Sequence, residues 1–94
     1  MNEMRLMLSA KELEWFKENF PGIKWQAGDT TIRWNANDPE EVALAKRAYD
    51  AYKKKHPGAL TYRTDRNEKK EASVIKEFDP NAEVIVMVEQ MVGG

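Results

Sequence analysis

The segment from Asp38 to Gly58 constrains the fold more than any other. It opens Asp38-Pro39-Glu40-Glu41 and closes Lys53-Lys54-Lys55-His56-Pro57-Gly58. Asp38 can cap the free N–H groups of a helix start, and Pro39 suits the first helical position because its missing N–H would have had no partner there. Two acids then face the positive helix end, and three lysines with His56 gather at the negative end. Pro57-Gly58 stops the helix. The pattern predicts a helix over Pro39–Lys55. Val42, Ala45, Tyr49 and Tyr52 recur along it as one apolar stripe, which must be buried against another layer.

The rest of the chain supplies candidates for that layer. Ser9 and Glu12 form a capping box, with Leu8 and Leu13 at the positions of a hydrophobic staple. Leu13, Phe16 and Phe20 continue one helix face, and Pro21-Gly22 ends it, so a first helix is expected over Ala10–Phe20. Met4–Leu8 before it reads as a short strand or an apolar lead-in. Thr30–Trp34 alternates and is rich in β-branched and aromatic residues, the pattern of a strand. Leu60–Thr64, Ser73–Phe78 and Glu83–Val88 read as three more strands, the first two as partners in a hairpin. Val84–Val88 is apolar on both faces, the pattern of a strand buried on both sides or covered by a partner. If Thr30–Trp34 and Leu60–Thr64 are parallel neighbours, the long helix joins them right-handedly. The expected fold is α+β: two helices on a small, mostly antiparallel sheet of about four strands, in the order helix, strand, long helix, three strands.

Length and charge bound the function. Ninety-four residues make one domain, 1–94, and bury roughly 60–65% of the unfolded surface in one modest core. Fifteen Lys and Arg against sixteen Asp and Glu leave a net charge of −1, which removes the bulk electrostatic argument for nucleic acid or membrane. The apolar run Val84–Val88 is too short to span a bilayer, and no signal-peptide pattern opens the chain. The expected location is the cytoplasm of a host cell, or a virion. No repeat, low-complexity segment or linker is visible.

Chemistry-bearing residues are few. There is no Cys, hence no thiolate nucleophile and no Cys-based zinc site, and a single His. His56 reads as a helix C-terminal cation; as a general base it would need a partner and a pocket. Asp65, Asn67 and Glu68 are the nearest thing to a hard-cation loop but lack its Gly and terminal Glu, so they read as a turn. Ser9 is used in capping and Ser73 opens a strand, and no nucleophile-elbow, dinucleotide or P-loop motif occurs. The expectation is no enzyme, no metal, no cofactor and no small-molecule substrate. Lys53, Lys54, Lys55, Arg63 and Arg66 with Tyr52 and Tyr62 would suit a nucleic-acid patch, but acids interleave with the cations and a solvated face is expected.

What remains points to a protein partner. Three tryptophans are many for this length, and Trp25 sits in an irregular segment, where it can anchor an interface or fold back on its own domain. The end of the chain, Glu89-Gln90-Met91-Val92-Gly93-Gly94, extends an apolar strand almost to its last residue. The expected partner-binding residues are therefore Met87, Glu89, Gln90, Met91, Val92, Gly93 and Gly94, with Trp25 second. They would act by strand addition or by burial of the apolar tail, on another protein or on a second copy.

Two resemblances bear on this. Asp79-Pro80-Asn81-Ala82-Glu83-Val84 … Met91-Val92-Gly93-Gly94 is similar to the ends of β-grasp sulfur carriers and ubiquitin-like proteins. That likeness implies a grasp topology around the long helix and a Gly94 carboxylate that is activated by an adenylating enzyme. The wider pattern Tyr62-Arg63-x-Asp65 … Glu77-Phe78-Asp79-Pro80-x-Ala82-Glu83 … Gly93-Gly94 resembles small proteins encoded by bacteriophages and prophages. This second likeness implies a virion or accessory role. An inhibitor of a host complex is a further possibility, favoured if Glu12, Glu18, Glu40 and Glu41 form one acidic face.

Overall fold

The structure, a computed structural model, describes residues 1–66 and 72–89. The elements run β1 (Asn2–Leu8), α1 (Ala10–Asn19), β2 (Gly28–Trp34), α2 (Pro39–Lys55), β3 (Leu60–Thr64), β4 (Ser73–Val74) and β5 (Val84–Val88). The α+β class holds, with two helices on one sheet. The sheet has five strands rather than four, in the order β2-β1-β5-β3-β4. It is mixed: β1 and β5 are parallel, and every other pair is antiparallel.

Met4–Leu8 is a strand, and it is the source of the extra one. Met4, Leu6 and Leu8 point inward and Arg5 outward, as alternation requires. Met7 breaks the pattern by being apolar and 62% exposed, which is why the sequence left the segment ambiguous. β1 and β2 pair over their whole length, from Asn2 opposite Trp34 to Leu8 opposite Gly28. Gly28 has a φ of 82°, a conformation open to glycine at little steric cost.

Both helices begin where their caps predict. Ser9 and Glu12 bond reciprocally, and the Asp38 carboxylate accepts from the N–H groups of Glu40 and Glu41. These bonds hold the Asp38 carboxyl below the usual carboxylate range, the Glu41 N–H contributing most. Helix α1 stops one residue before Phe20, whose N–H still bonds the Phe16 carbonyl. Helix α2 carries the chain from β2, at one edge, to β3 near the other, so these two strands are not neighbours and the expected direct crossover does not occur.

The expected strand Ser73–Phe78 is a strand only at Ser73–Val74. Ile75 keeps one bond to the Thr61 carbonyl, and the chain then leaves the sheet edge. The reason is Phe78, which turns inward between Trp34 and Tyr49, at 5.1 and 5.7 Å between ring centroids. The hairpin pairing of β3 with β4 is present but short.

A single apolar cluster lies between the sheet and the helices. Met4, Leu6, Ile32, Trp34, Ile85 and Met87 from the strands meet Phe16, Ala45, Ala48, Tyr49 and Tyr52 from the helices. Buried polar atoms are paired: the Trp34 ring N–H donates to the Pro80 carbonyl, and the Thr30 hydroxyl to that of Gln26. Neighbouring positions on β5 therefore differ sharply in expected cost. Ile85→Ala is expected to lower stability by about 3 kcal/mol and Val88→Ala by less than about 1 kcal/mol, read by urea unfolding. Equal losses at the two positions would contradict this packing.

Candidate functional site

The site begins where the central strand pair ends. β1 and β5 pair only from Glu3–Arg5 to Val84–Val86, although β1 runs on to Leu8 and β5 to Val88. Beyond Arg5 the two strands part, and a cleft of about 850 Å³ opens between Leu6–Leu8 and Val86–Glu89. Its walls are largely apolar, and Glu12, Tyr52 and His56 line it too.

Tyr52 comes from the last turns of α2, and its hydroxyl donates to the Met7 carbonyl at 3.0 Å. It thus bonds a β1 carbonyl just beyond Arg5, the last β1 residue paired to β5. Burial, then the nearby Glu12 and Glu89 carboxylates, push its phenol up to about 12. His56, the C-cap of α2, stacks on Tyr52 with ring centroids 4.4 Å apart. Its Nε2 lies 2.8 Å from a Glu12 carboxylate oxygen and its Nδ1 3.3 Å from one of Glu89. Burial disfavours the charged ring, but bonds to the two carboxylates outweigh it and raise the pKa of His56 above its ordinary value. Glu12 serves twice: one oxygen completes the capping box at the Ser9 N–H, the other meets His56.

A second feature adjoins the cleft. Both helices pack on one face of the sheet, and the opposite face keeps an apolar centre. Cross-strand register sets Arg5, Val86, Tyr62 and Val74 in one row and Val88 beside Leu60 in the next. Val74 is 67% exposed, Met7 62%, Val88 46% and Leu60 37%. At one end of this face the Glu3 carboxylate, nearly buried, bonds Arg5 Nε at 3.1 Å and Arg66 Nε at 3.3 Å.

Several sequence-based expectations change. Met87 is 2% exposed on the helix-covered face, where its side chain packs into the domain's own core. Trp25 folds back on its own domain: it is buried against Phe16, and its ring N–H donates to the Phe20 carbonyl at 2.9 Å. β5 is interior, with β1 and β3 on its two sides, so strand addition along its paired length is closed; the sheet edges are β2 and β4. Glu89 is exposed over 65% of its side chain and reaches His56. Gln90, Met91, Val92, Gly93 and Gly94 lie outside the described residues, as do Asn67 and Glu68 of the turn.

Four of the five cations that would suit a nucleic-acid patch have local partners. Lys53 bonds the Ala59 carbonyl, Lys55 lies over the Trp15 ring, Arg63 pairs with Asp79, Arg66 with Glu3, and Tyr52 is buried. Glu12 turns toward His56 and so leaves the proposed acidic face. Among the described residues no group of three His, Asp or Glu is placed to hold a metal ion, and no helix is long and apolar enough to cross a membrane. The Glu12–His56 pair is the main feature that sequence reasoning missed. Each residue had a local explanation, and a separation of 44 positions leaves no periodic signal. Comparison with protein families, curated proteins and solved structures yields no match.

Tyr52→Phe removes only the bond to Met7 and is expected to cost about 1 kcal/mol. The alkaline absorbance titration should lose its step near pH 12 in this variant. An unchanged titration curve would mean that another tyrosine accounts for that step.

Proposed function

We propose that the protein is a non-enzymatic protein-binding module that docks through the uncovered face of its sheet, centred on the outward side of β5. The observation that carries this reading is the cluster Met7, Val86, Val88, Leu60, Tyr62 and Val74, apolar side chains brought together from four strands. Contiguous exposed apolar surface of this kind marks interaction sites. A carboxylate faces each ring nitrogen of His56, which favours its protonated form over that of a general base. The likeness to small phage-encoded proteins directs the search for the partner to virion and accessory assemblies, and to host complexes that such a protein could inhibit.

The test starts from a partner identified by affinity capture from the native source and then purified. Binding is measured by calorimetry against the wild-type chain and the double variant Met7→Asp/Val88→Asp. The variant should keep its circular dichroism spectrum and bind at least about tenfold more weakly, a loss of about 1.4 kcal/mol. Undiminished affinity in a folded variant would rule out this face.

A second reading is favoured by one observation, the strand order. A β1–β2 antiparallel pair, a helix across one face and β5 parallel to β1 at the sheet centre support the grasp topology that the tail resemblance implies. Helix α1 is inserted between the first two strands. On this reading Gly94 is the activated carboxylate, and the apolar face is where the activating enzyme docks. Mass spectrometry of the protein from its native source should then find Gly94 carboxyl-terminal and carried as a thiocarboxylate, a thioester or an isopeptide. A terminus that stays a plain carboxylate when ATP and native extract are supplied would discard the carrier role and leave the docking face untouched.

A further inference from the structure

We propose that His56 is a protonation latch on the end of β5, closed when the imidazole carries both protons and loosened when it carries one. A carboxylate only accepts hydrogen bonds, and each ring nitrogen of His56 faces one: Nε2 faces Glu12 at 2.8 Å and Nδ1 faces Glu89 at 3.3 Å. A neutral imidazole has one N–H and one lone pair, so it can satisfy one carboxylate and must turn a lone pair toward the other. The arrangement is complete only in the imidazolium form.

The two arms are unequal, which fixes the one that opens. Glu12 is held on both oxygens, by the Ser9 N–H and by His56, and its side chain is 14% exposed. Glu89 sits at the longer distance, is 65% exposed, and follows directly on the last residue of β5. Loss of the second proton therefore frees Glu89 and leaves the Glu12 bond in place. Each element around the ring contributes: Glu12 from α1, Glu89 after β5, and Tyr52 beneath it from α2. Lys53 and Lys55 are close in sequence but are turned away, toward the Ala59 carbonyl and the Trp15 ring. Arg5 of β1 and Asp29 of β2 line the same cleft.

The sign follows from the direction of the shift. The folded state holds the proton more tightly than the unfolded chain does. The contribution is fully present below the ordinary imidazole pKa and is lost as pH rises through the raised folded value. Across that interval Tyr52 keeps its bond to the Met7 carbonyl of β1, because its phenol remains protonated until about 12. The latch thus acts on the end of β5 and not on the whole domain.

His56 is the chain's one histidine, so nuclear magnetic resonance reads its ring without ambiguity in the full-length protein. The expected midpoint lies above the ordinary 6.5, and the Glu89 side-chain carboxyl signal moves with the same midpoint. Amide exchange at Val88 and Glu89, corrected for its intrinsic pH dependence, should rise roughly threefold through that midpoint, the size a half-exposed ion pair supports. Glu89→Gln should lower the midpoint and abolish the exchange step while the fold persists. A wild-type midpoint at or below 6.5, an absent exchange step, or a Glu89→Gln midpoint equal to wild type would each overturn the latch.

Discussion

The pairing of β1 with β5 is the contact on which the rest of this structure depends. It joins Glu3–Arg5 to Val84–Val86, so nearly the whole chain is a loop closed by one short parallel ladder. Loop closure over that length has an entropic cost that grows only slowly with length, but it must be met by burial rather than by local bonds. Here the burial is Met4 and Ile85, both fully inaccessible, at the centre of the apolar cluster. The Glu3 N–H adds a bond to the Glu83 carbonyl, and the Asn2 amide donates to the carbonyls of Pro80 and Ala82. The same brevity makes the cleft. A ladder that ends at Arg5 leaves two strands diverging, and Tyr52 and His56 occupy the gap from below.

The legible parts of this fold are those whose cause is local. Helix α2 runs over Pro39–Lys55 and β3 over Leu60–Thr64, both with the bounds read from sequence, because the cap, the proline, the lysines and the β-branched residues act within a few positions. The parts that were misread depend on distant partners. Phe78 looks like the end of a strand until the aromatic pocket between Trp34 and Tyr49 is known. β1 looks doubtful because Met7 is apolar on the outward side, and only the sheet shows that this side is apolar across several strands. The two-sided apolarity of Val84–Val88 points to a central strand, but the same pattern reads equally as a strand covered by a partner.

The candidate site divides along the same line. Trp25 is a candidate because a loop tryptophan can anchor an interface, and Met87 because it leads into the apolar tail, but neither signal reveals the facing element, and both side chains are consumed by the domain's own core. His56 and Glu12 were passed over for the opposite reason. Each was already explained, one as a helix-end cation and one as half of a capping box, and both explanations are true in the structure. A residue can satisfy a local rule and a distant one at once when it has two functional atoms, as Glu12 does with its two oxygens.

Strand propensity alone does not account for the uncovered face. Val74, Val88 and Tyr62 are side chains that any exposed strand favours, and a polar protein surface tolerates them singly. Met7 and Leu60 are different. Neither is β-branched or aromatic, and neither gains from the pleated surface in the way valine or threonine does. Their positions matter as much as their types. Leu60 lies opposite Val88 in register, and Met7 and Val88 line the same cleft at its two diverging strands. The residues that propensity fails to explain are therefore the ones beside the opening of the central seam, on the side of the sheet that neither helix covers. A surface shaped only by strand formation would scatter such side chains rather than set them on either side of Val88.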